Sequence, residues 1–400
     1  MKNFKQYYEA YELVNEGANT HLTHLEELIL KKGQVGYEQA RTFLTNLLSH
    51  LQGKSKRKIG TTVKWDGAPA IFCGRHPDNG KFFLGTKSIY NKNPKINYSI
   101  NDIEVNHGDN AGLAVKLKRA FPLLQQLGIK NIMQGDLMFD SASINKEDID
   151  DVPHYTFKPN TIKYAVEANS ALGKKLSNSV LGVIFHTEYD SIDGNASYGA
   201  KVNKLKNVPG VWVDDAFFKD DTGVVTLTTD ETKQVRDYIK TADSIKVNYK
   251  NLPLDDINIY INSEIRQGKF LDNPEQSYNM FINWLEDKKV KAVEKLKSVR
   301  GKRDREESWK KKIAEVTQEK NNIVNLFKVT KLLSQAKHMF INKYNTATYT
   351  TKHFVDDGTG VLKTTAPEGF VAVSNDGSAV KLVDRLEFSK ANFNPNKQFG

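Results

Sequence analysis

The sequence predicts an α+β fold, from three observations. Short β-prone runs with turn signals fill the stretch from Thr61 to about residue 228. A block of about 115 residues, 229–345, has helical periodicity throughout. Strand-like runs then resume at Gly369-Phe370-Val371-Ala372-Val373 and Ala379-Val380-Lys381-Leu382-Val383. The expected organisation is an N-terminal helical segment (1–60) and a β-rich core in two parts (61–228 and 346–400). A large helical insertion (229–345), close to a domain in size, lies between those parts.

Residues 4–52 read as helices. In Tyr37–Leu48 the apolar residues recur at helical spacing, and Gly33 and Gly36 punctuate the break before it. His21 and His24 are three apart, but a two-histidine metal site with no third ligand nearby is not expected. From Thr61 the texture changes. Thr61–Lys64, Ala70–Cys73 and Lys81–Thr86 are β-prone runs between Asp-Gly and Asp-Asn-Gly turns. Val115–Leu127 reads as a helix. Ile132–Phe139 and Val180–His186 read as core strands, and Val211–Val213 and Gly223–Leu227 suggest further strand.

Composition bounds the function. Of 400 residues, 39% are apolar and 10% aromatic, enough for a sizeable core. No run of about 18 uncharged apolar residues is present, and the first residues carry no apolar signal region, so neither a transmembrane helix nor a signal peptide is expected. A single cysteine, Cys73, excludes an intrachain disulfide and a cysteine-rich zinc site, and a reducing cytoplasm is the expected compartment. The net charge is +10. Most of it sits between Lys288 and Lys312, where twelve Lys/Arg face four acids for a local charge of +8. Such a run is either a solvated helix face or a strip that neutralises phosphates.

Val63-Lys64-Trp65-Asp66-Gly67-Ala68-Pro69-Ala70 is the most informative stretch. A lysine at the end of a β-run before Asp-Gly fits a strand–turn–strand unit that projects the amine. Lysine becomes a nucleophile only after losing its proton, which burial or cationic neighbours favour; Trp65 and Ala68-Pro69-Ala70 would supply the desolvation. Asp136 in Gln134-Gly135-Asp136-Leu137 and Glu368 in Pro367-Glu368-Gly369-Phe370 each put a carboxylate beside or inside an apolar strand, and Lys381 does the same with an amine. A buried acid needs a partner, a proton or a metal. Mg²⁺ is satisfied by one or two carboxylates plus substrate phosphates. Taken singly, each also reads as a polar residue on the wet face of a strand.

In this order, Lys-x-Asp-Gly, Gly-Asp-Leu-Met-Phe, Ile-Phe-His-Thr-Glu-Tyr, Glu-Gly-Phe-Val and Val-Lys-Leu-Val, the set resembles the covalent nucleotidyltransferase superfamily. That superfamily comprises ATP-dependent DNA ligases, RNA ligases and mRNA capping enzymes. The resemblance covers roughly 61–190 and 366–386. The chain also looks like a family carried by tailed phages, in which Lys-Trp-Asp-Gly-Ala-Pro-Ala and Gly-Thr-Lys-Ser-Ile-Tyr-Asn recur.

What the resemblance implies is a nucleotidyltransferase, ATP-grasp-like adenylation core of antiparallel sheets, with ATP and Mg²⁺ or Mn²⁺ as cofactors. Lys64 would attack the α-phosphate and carry AMP, with Thr62, Val63, Asp66 and Gly67 completing the nucleotide motif. Lys87, in Gly85-Thr86-Lys87-Ser88, would bind ribose or a nucleic-acid phosphate. Asp136 stands where Glu is usual and would contact ribose or metal. Phe185 would stack on the purine, with His186 where Asp is common. Glu368 would bind the metal. Lys381 would hold the α-phosphate, and Val383 replaces the usual second lysine, so that Arg385 or another cation would substitute.

The implied activity is ATP-dependent polynucleotide ligation of 3′-hydroxyl to 5′-phosphate ends, with nick sealing in DNA repair or replication slightly ahead of RNA end joining. Capping-type guanylyl transfer and a non-catalytic nucleic-acid-binding phage protein remain alternatives. Pro69 stands where DNA ligases place Arg. Nineteen residues follow Lys381, so no C-terminal OB-fold is expected. The 178 residues between Tyr189 and Glu368 exceed what the core needs. Their strip (Lys288, Lys289, Lys291, Lys295, Lys297, Arg300, Lys302, Arg303) would clamp nucleic acid. The expected partners are nicked duplex DNA or RNA ends and no membrane, the expected state a monomer, and the expected place the cytoplasm of an infected host.

Overall fold

The computed structural model describes residues 22–52, 60–192, 194, 196–216, 225–346, 352–356, 362–365, 367, 369–374 and 378–386. It is a mixed α and β structure that divides into two compact units. The first comprises Met1–Leu22, Gly60–Thr222 and Thr348–Ala379; the second comprises Thr23–Ile59, Gly223–Ala347 and Val380–Gly400.

In the first unit, β1 (Gly60–Val63), β2 (Ala70–Arg75) and β3 (Phe82–Gly85) are followed by α2 (Ile100–His107) and α3 (Ala111–Leu124); α1 (Glu27–Leu51) belongs to the second unit. Then come β4 (Ile132–Asp140), β5 (Ile144–Ile149), β6 (Val152–Phe157), β7 (Lys163–Glu167), a short α4 (Ala171–Leu176), β8 (Leu181–Tyr189), β9 (Ala196–Tyr198) and β10 (Val211–Asp215). Late strands β11 (Lys352–Asp356), β12 (Leu362–Thr364) and β13 (Phe370–Val373) return to this unit.

One sheet has the order β10-β8-β4-β2-β3 with β9 on β8; β10 joins β8 in parallel and the other pairs are antiparallel. A second, wholly antiparallel sheet has the order β12-β11-β7-β6-β5. β1 pairs antiparallel with β13. Thus β1 and β2 do not form a hairpin: residues 64–69 carry the chain from one sheet to another. The β-run expected at Gly223–Leu227 is not strand over 225–227, and its first two residues lie outside the described ones.

Alternation sets the two faces of the larger sheet. Ile71, Cys73, Met133, Leu137, Leu181, Val183 and Phe185 pack against Ile103, Leu117, Phe121 and Leu124 of the helices. On the other face Met138, Phe139, Ile184 and Trp212 meet Phe157, Tyr164 and Val166 of the second sheet. Farther along, Phe72, Phe83, Ile89, Ile132 and Tyr189 form a separate apolar cluster.

The second unit contains α1 (Glu27–Leu51), α5 (Thr229–Ser244), α6 (Leu254–Arg266), α7 (Pro274–Glu294), α8 (Val299–Gln318) and α9 (Lys320–Asn345). Their starts are written locally. Thr228 and Glu231 form a reciprocal capping box, Asn273 caps a helix that begins with Pro274, and Ser298 caps α8. β14 (Ala379–Leu382) contributes its residues from Val380 onward. There the Lys381 peptide N–H donates to Thr23 O, and Leu25 N–H donates to Lys381 O.

Three distant pieces of chain meet at one buried ion pair in this unit. Lys337 Nζ, wholly buried, donates to both carboxylate oxygens of Glu26 at 2.9 Å and to Val383 O at 2.8 Å. All three ammonium protons are thereby satisfied. Lys337, then Arg385, hold the Glu26 carboxyl down to about 2 against the opposing effect of burial. A buried pair is costly to break from one side, because the survivor is left charged and unpaired. Lys337→Met should therefore lower stability by about 3–5 kcal/mol in urea unfolding. The Glu26 contribution is present above pH 4.5 and lost as pH falls from there towards 2. A Glu26→Gln/Lys337→Met double variant should lack that acid limb; an unchanged limb would show that other groups carry it.

Candidate functional site

Lys64 follows β1 directly and is fixed by its backbone. Val63 N–H donates to Ala216 O at 2.7 Å, and Lys64 N–H donates to Gly369 O at 2.8 Å. Thr62 and Val63 are buried beneath it, so they support the strand and present no side chain to a ligand. Past Lys64, Trp65 leaves the loop to pack on Tyr164, with ring centroids 5.1 Å apart.

Asp66 is the anchor of the loop. Its carboxylate accepts from Asn160 Nδ2 at 2.8 Å, Thr161 N–H at 2.7 Å and Ile162 N–H at 2.9 Å. Its own N–H donates to the Tyr164 hydroxyl at 2.7 Å. Three donors, two of them peptide groups, satisfy this carboxylate from the turn before β7. Expected to be a nucleotide ligand, Asp66 is in this structure a brace.

Gly67 is required by close approach: a Cβ there would lie 2.4 Å from Asp136 Cβ. Gly135 is required in the same way, since a Cβ would lie 2.5 Å from Ile184 O and 2.8 Å from the Phe185 ring. Backbone bonds close the junction, Ala68 N–H to Leu137 O and Leu137 N–H to Pro69 O, both 3.1 Å. The Lys64 loop is thus laid against the strand that carries Asp136.

The register of β4 and β8 decides which side chains face outward beside it. Gly135 pairs with Phe185, and Asp136 with Ile184. Phe185 is fully buried against the helices, on the opposite face from Asp136. The expectation that Phe185 stacks on a purine is therefore corrected. His186, the next residue, turns to the Asp136 face, and its side chain keeps 29% of its exposure beside 19% for Asp136. His186 Nε2 lies 3.8 Å from Asp136 Oδ2, while Nδ1 is 2.7 Å from Thr187 Oγ1.

Burial, then the ammonium charges of Lys64 and Lys87, push the His186 pKa down to about 4. At pH 7 the ring is neutral. Lys87 begins a 3-10 turn capped by Thr86 and is exposed. Lys64, Lys87, Asp136 and His186 therefore share one electrostatic neighbourhood between the two apolar clusters of this sheet face. Two cations, one acid and a neutral ring make a site suited to a polyanion.

The chain belongs to DUF6267, a family of unknown function. The family model matches residues 19–397. No curated protein and no solved structure matches the chain. Membership of DUF6267 leaves the chemistry to be argued from the site.

The other expected site residues fall elsewhere. Glu368 lies outside the described residues. Lys381 belongs to the second unit, on β14. The strip spans the end of α7, the link that follows it, which carries Lys295 and Lys297, and the first residues of α8. Lys288, Lys291, Lys295, Lys297, Arg300, Lys302 and Arg303 are exposed, whereas Lys289 is half-buried and paired with Glu286. Asp304 lies 3.7 Å from Arg300 and 3.9 Å from Arg303. Among the described residues, no three His, Cys, Asp or Glu groups converge as a metal site. A divalent cation here would rest on Asp136 and on the phosphates of its ligand. No described helix is long and apolar enough to cross a membrane.

His186 is visible in the sequence only as a departure from the superfamily pattern; strand alternation in Val183-Ile184-Phe185-His186 is the signal that puts it at the site. Phe185→Ala should cost about 3–5 kcal/mol of stability, as core aromatic truncations do. His186→Ala should cost far less, and should remove a histidine NMR titration with a midpoint of about 4. Near-equal stability losses would contradict the assignment of faces.

Proposed function

We propose that the protein is an ATP-dependent polynucleotide ligase acting through a lysyl-AMP intermediate on Lys64. The observation that carries this reading is the backbone-fixed Lys64, on a loop laid against the strand of Asp136, with Lys64 and Lys87 both acting on His186. Phosphoryl transfer asks a protein mainly for positioning and for neutralisation of phosphate charge. A lysine nucleophile held rigid, a second lysine and an acid for a divalent cation are the groups that chemistry uses.

The course has three balanced steps. Deprotonated Lys64 Nζ attacks the α-phosphorus of ATP, a P–N bond forms as the nitrogen gives up a proton to solvent, and the α–β bridging P–O bond breaks to release pyrophosphate. A 5′-phosphate oxygen then attacks the same phosphorus, a P–O–P bond forms, the P–N bond breaks, and the Lys64 amine leaves with a proton taken from solvent. Finally a 3′-hydroxyl attacks the activated 5′-phosphate, loses its proton and displaces AMP. Duplex DNA with a nick is the favoured substrate, on the strength of the basic residues exposed along α7 and α8.

Pre-adenylated ends separate the first step from the last. The wild-type chain should seal a nicked duplex with ATP and Mg²⁺, whereas Lys64→Ala should fail with ATP yet still seal a nick whose 5′ end already carries AMP. Sealing of RNA ends alone would move the substrate to RNA. ATP-dependent sealing by Lys64→Ala, or none by the wild type on either substrate, would overturn the reading.

The basic strip makes a separate prediction. Changing Lys291, Lys295, Lys297 and Lys302 to Gln should weaken binding to duplex DNA and flatten its salt dependence, by about 0.9 in log–log slope for each phosphate left without its cation. Lysyl adenylation should stay intact. An unchanged slope would reduce the strip to a solvated helix face.

A further inference from the structure

Asp136 Oδ2 and His186 Nε2, two electron-pair donors, lie 3.8 Å apart. His186 Nδ1 is engaged by Thr187 Oγ1 at 2.7 Å, which leaves Nε2 as the nitrogen that faces Asp136. The Nε2–Oδ2 separation of 3.8 Å is too long for a hydrogen bond. It suits two ligands of a shared cation, because atoms each about 2.1 Å from a metal lie roughly 3.0–4.2 Å apart. Both side chains keep partial access to solvent on the same sheet face. The hydroxyl behind Nδ1 is the kind of outer partner that orients a ligating imidazole.

Deepening the nucleotidyl-transfer reading, on which it rests for its third ligand, we propose that Asp136 and His186 form a mixed carboxylate–imidazole subsite for a first-row transition-metal dication in preference to Mg²⁺, completed by nucleotide phosphate oxygens and water. Mg²⁺ is hard and favours an all-oxygen shell, so a nitrogen donor penalises it relative to Mn²⁺, Co²⁺ or Zn²⁺. Mn²⁺ is the weakest of that series, which makes it the most demanding probe. Lys64 and Lys87 repel a bare cation from this neighbourhood, so occupancy depends on the negative charge of the nucleotide. Asp136 and His186 are two ligands, and the phosphates extend the shell beyond them.

Pulsed EPR of the full chain with Mn²⁺ and α,β-methylene-ATP reads the ligand atom directly. The expected result is a nitrogen hyperfine coupling that changes from the ¹⁴N to the ¹⁵N pattern when the protein is labelled with ¹⁵N-histidine. The label separates imidazole from adenine nitrogen. His186→Gln should abolish that coupling and lower the Mn²⁺-over-Mg²⁺ binding preference, since it removes the nitrogen donor. No histidine coupling in the wild type, or its survival in His186→Gln, overturns the proposal. Adenylation of Lys64 is scored in parallel with ATP and each metal. Histidine coupling without lysyl-AMP would keep the metal subsite and reject the ligase; lysyl-AMP without the coupling would do the reverse.

Discussion

The carboxylate of Asp66 is the constraint on which the site depends. Residues 64–69 join two sheets and have no ladder of their own, so their backbone groups must be held from outside. Asp66 takes two peptide donors and an amide from the turn before β7, and Trp65 packs on Tyr164 of that strand. From the other side, Gly67 admits the Cβ of Asp136. Lys64 is left between two braced neighbours, with its peptide bonded to the residue before β13. A flexible lysine would lose much of its binding energy to ordering a four-carbon side chain; a fixed backbone removes part of that cost.

The charges around Lys64 follow from burial and spacing. Asp136 lies on a strand whose neighbours are almost all apolar, and it keeps one exposed edge. His186 stays neutral because burial and two nearby ammonium groups all disfavour its proton. The proposed phosphate ligand would be attracted by the two lysines and would bring its own acceptors. The exposed cations of α7, α8 and the link between them belong to another unit, and the proposed attraction to an extended polyanion rests on them.

Much of this is legible in the sequence where a local rule governs. β2, β4, β8 and the helices from 229 onward lie where periodicity puts them, whereas Asp66-Gly67, expected in a strand–turn–strand unit, links two sheets instead. The stretch 144–167 gives no such strand signal, although it forms β5, β6 and β7. Ile144–Ile149 is mostly polar at a sheet edge, where pairing rather than hydrophobicity makes the strand. Phe185 leaves the site where the motif puts it while His186 stays, because a motif fixes chain order while the pleat fixes direction. The Glu26–Lys337 pair joins residues 311 apart and leaves no local trace. Its lysine sits in a helix pattern that reads equally well with the side chain outside.

The central claim is that one amine among many is the covalent acceptor. Peptide mass mapping of the wild-type chain, incubated with ATP and Mn²⁺ and denatured in acid-free buffer, tests it directly. The account predicts one added adenylyl group, on the peptide containing Lys64 and on no other lysine, removed by pyrophosphate. Adenylyl groups spread over several lysines, or a chain that stays unmodified both as purified and after incubation, would contradict it.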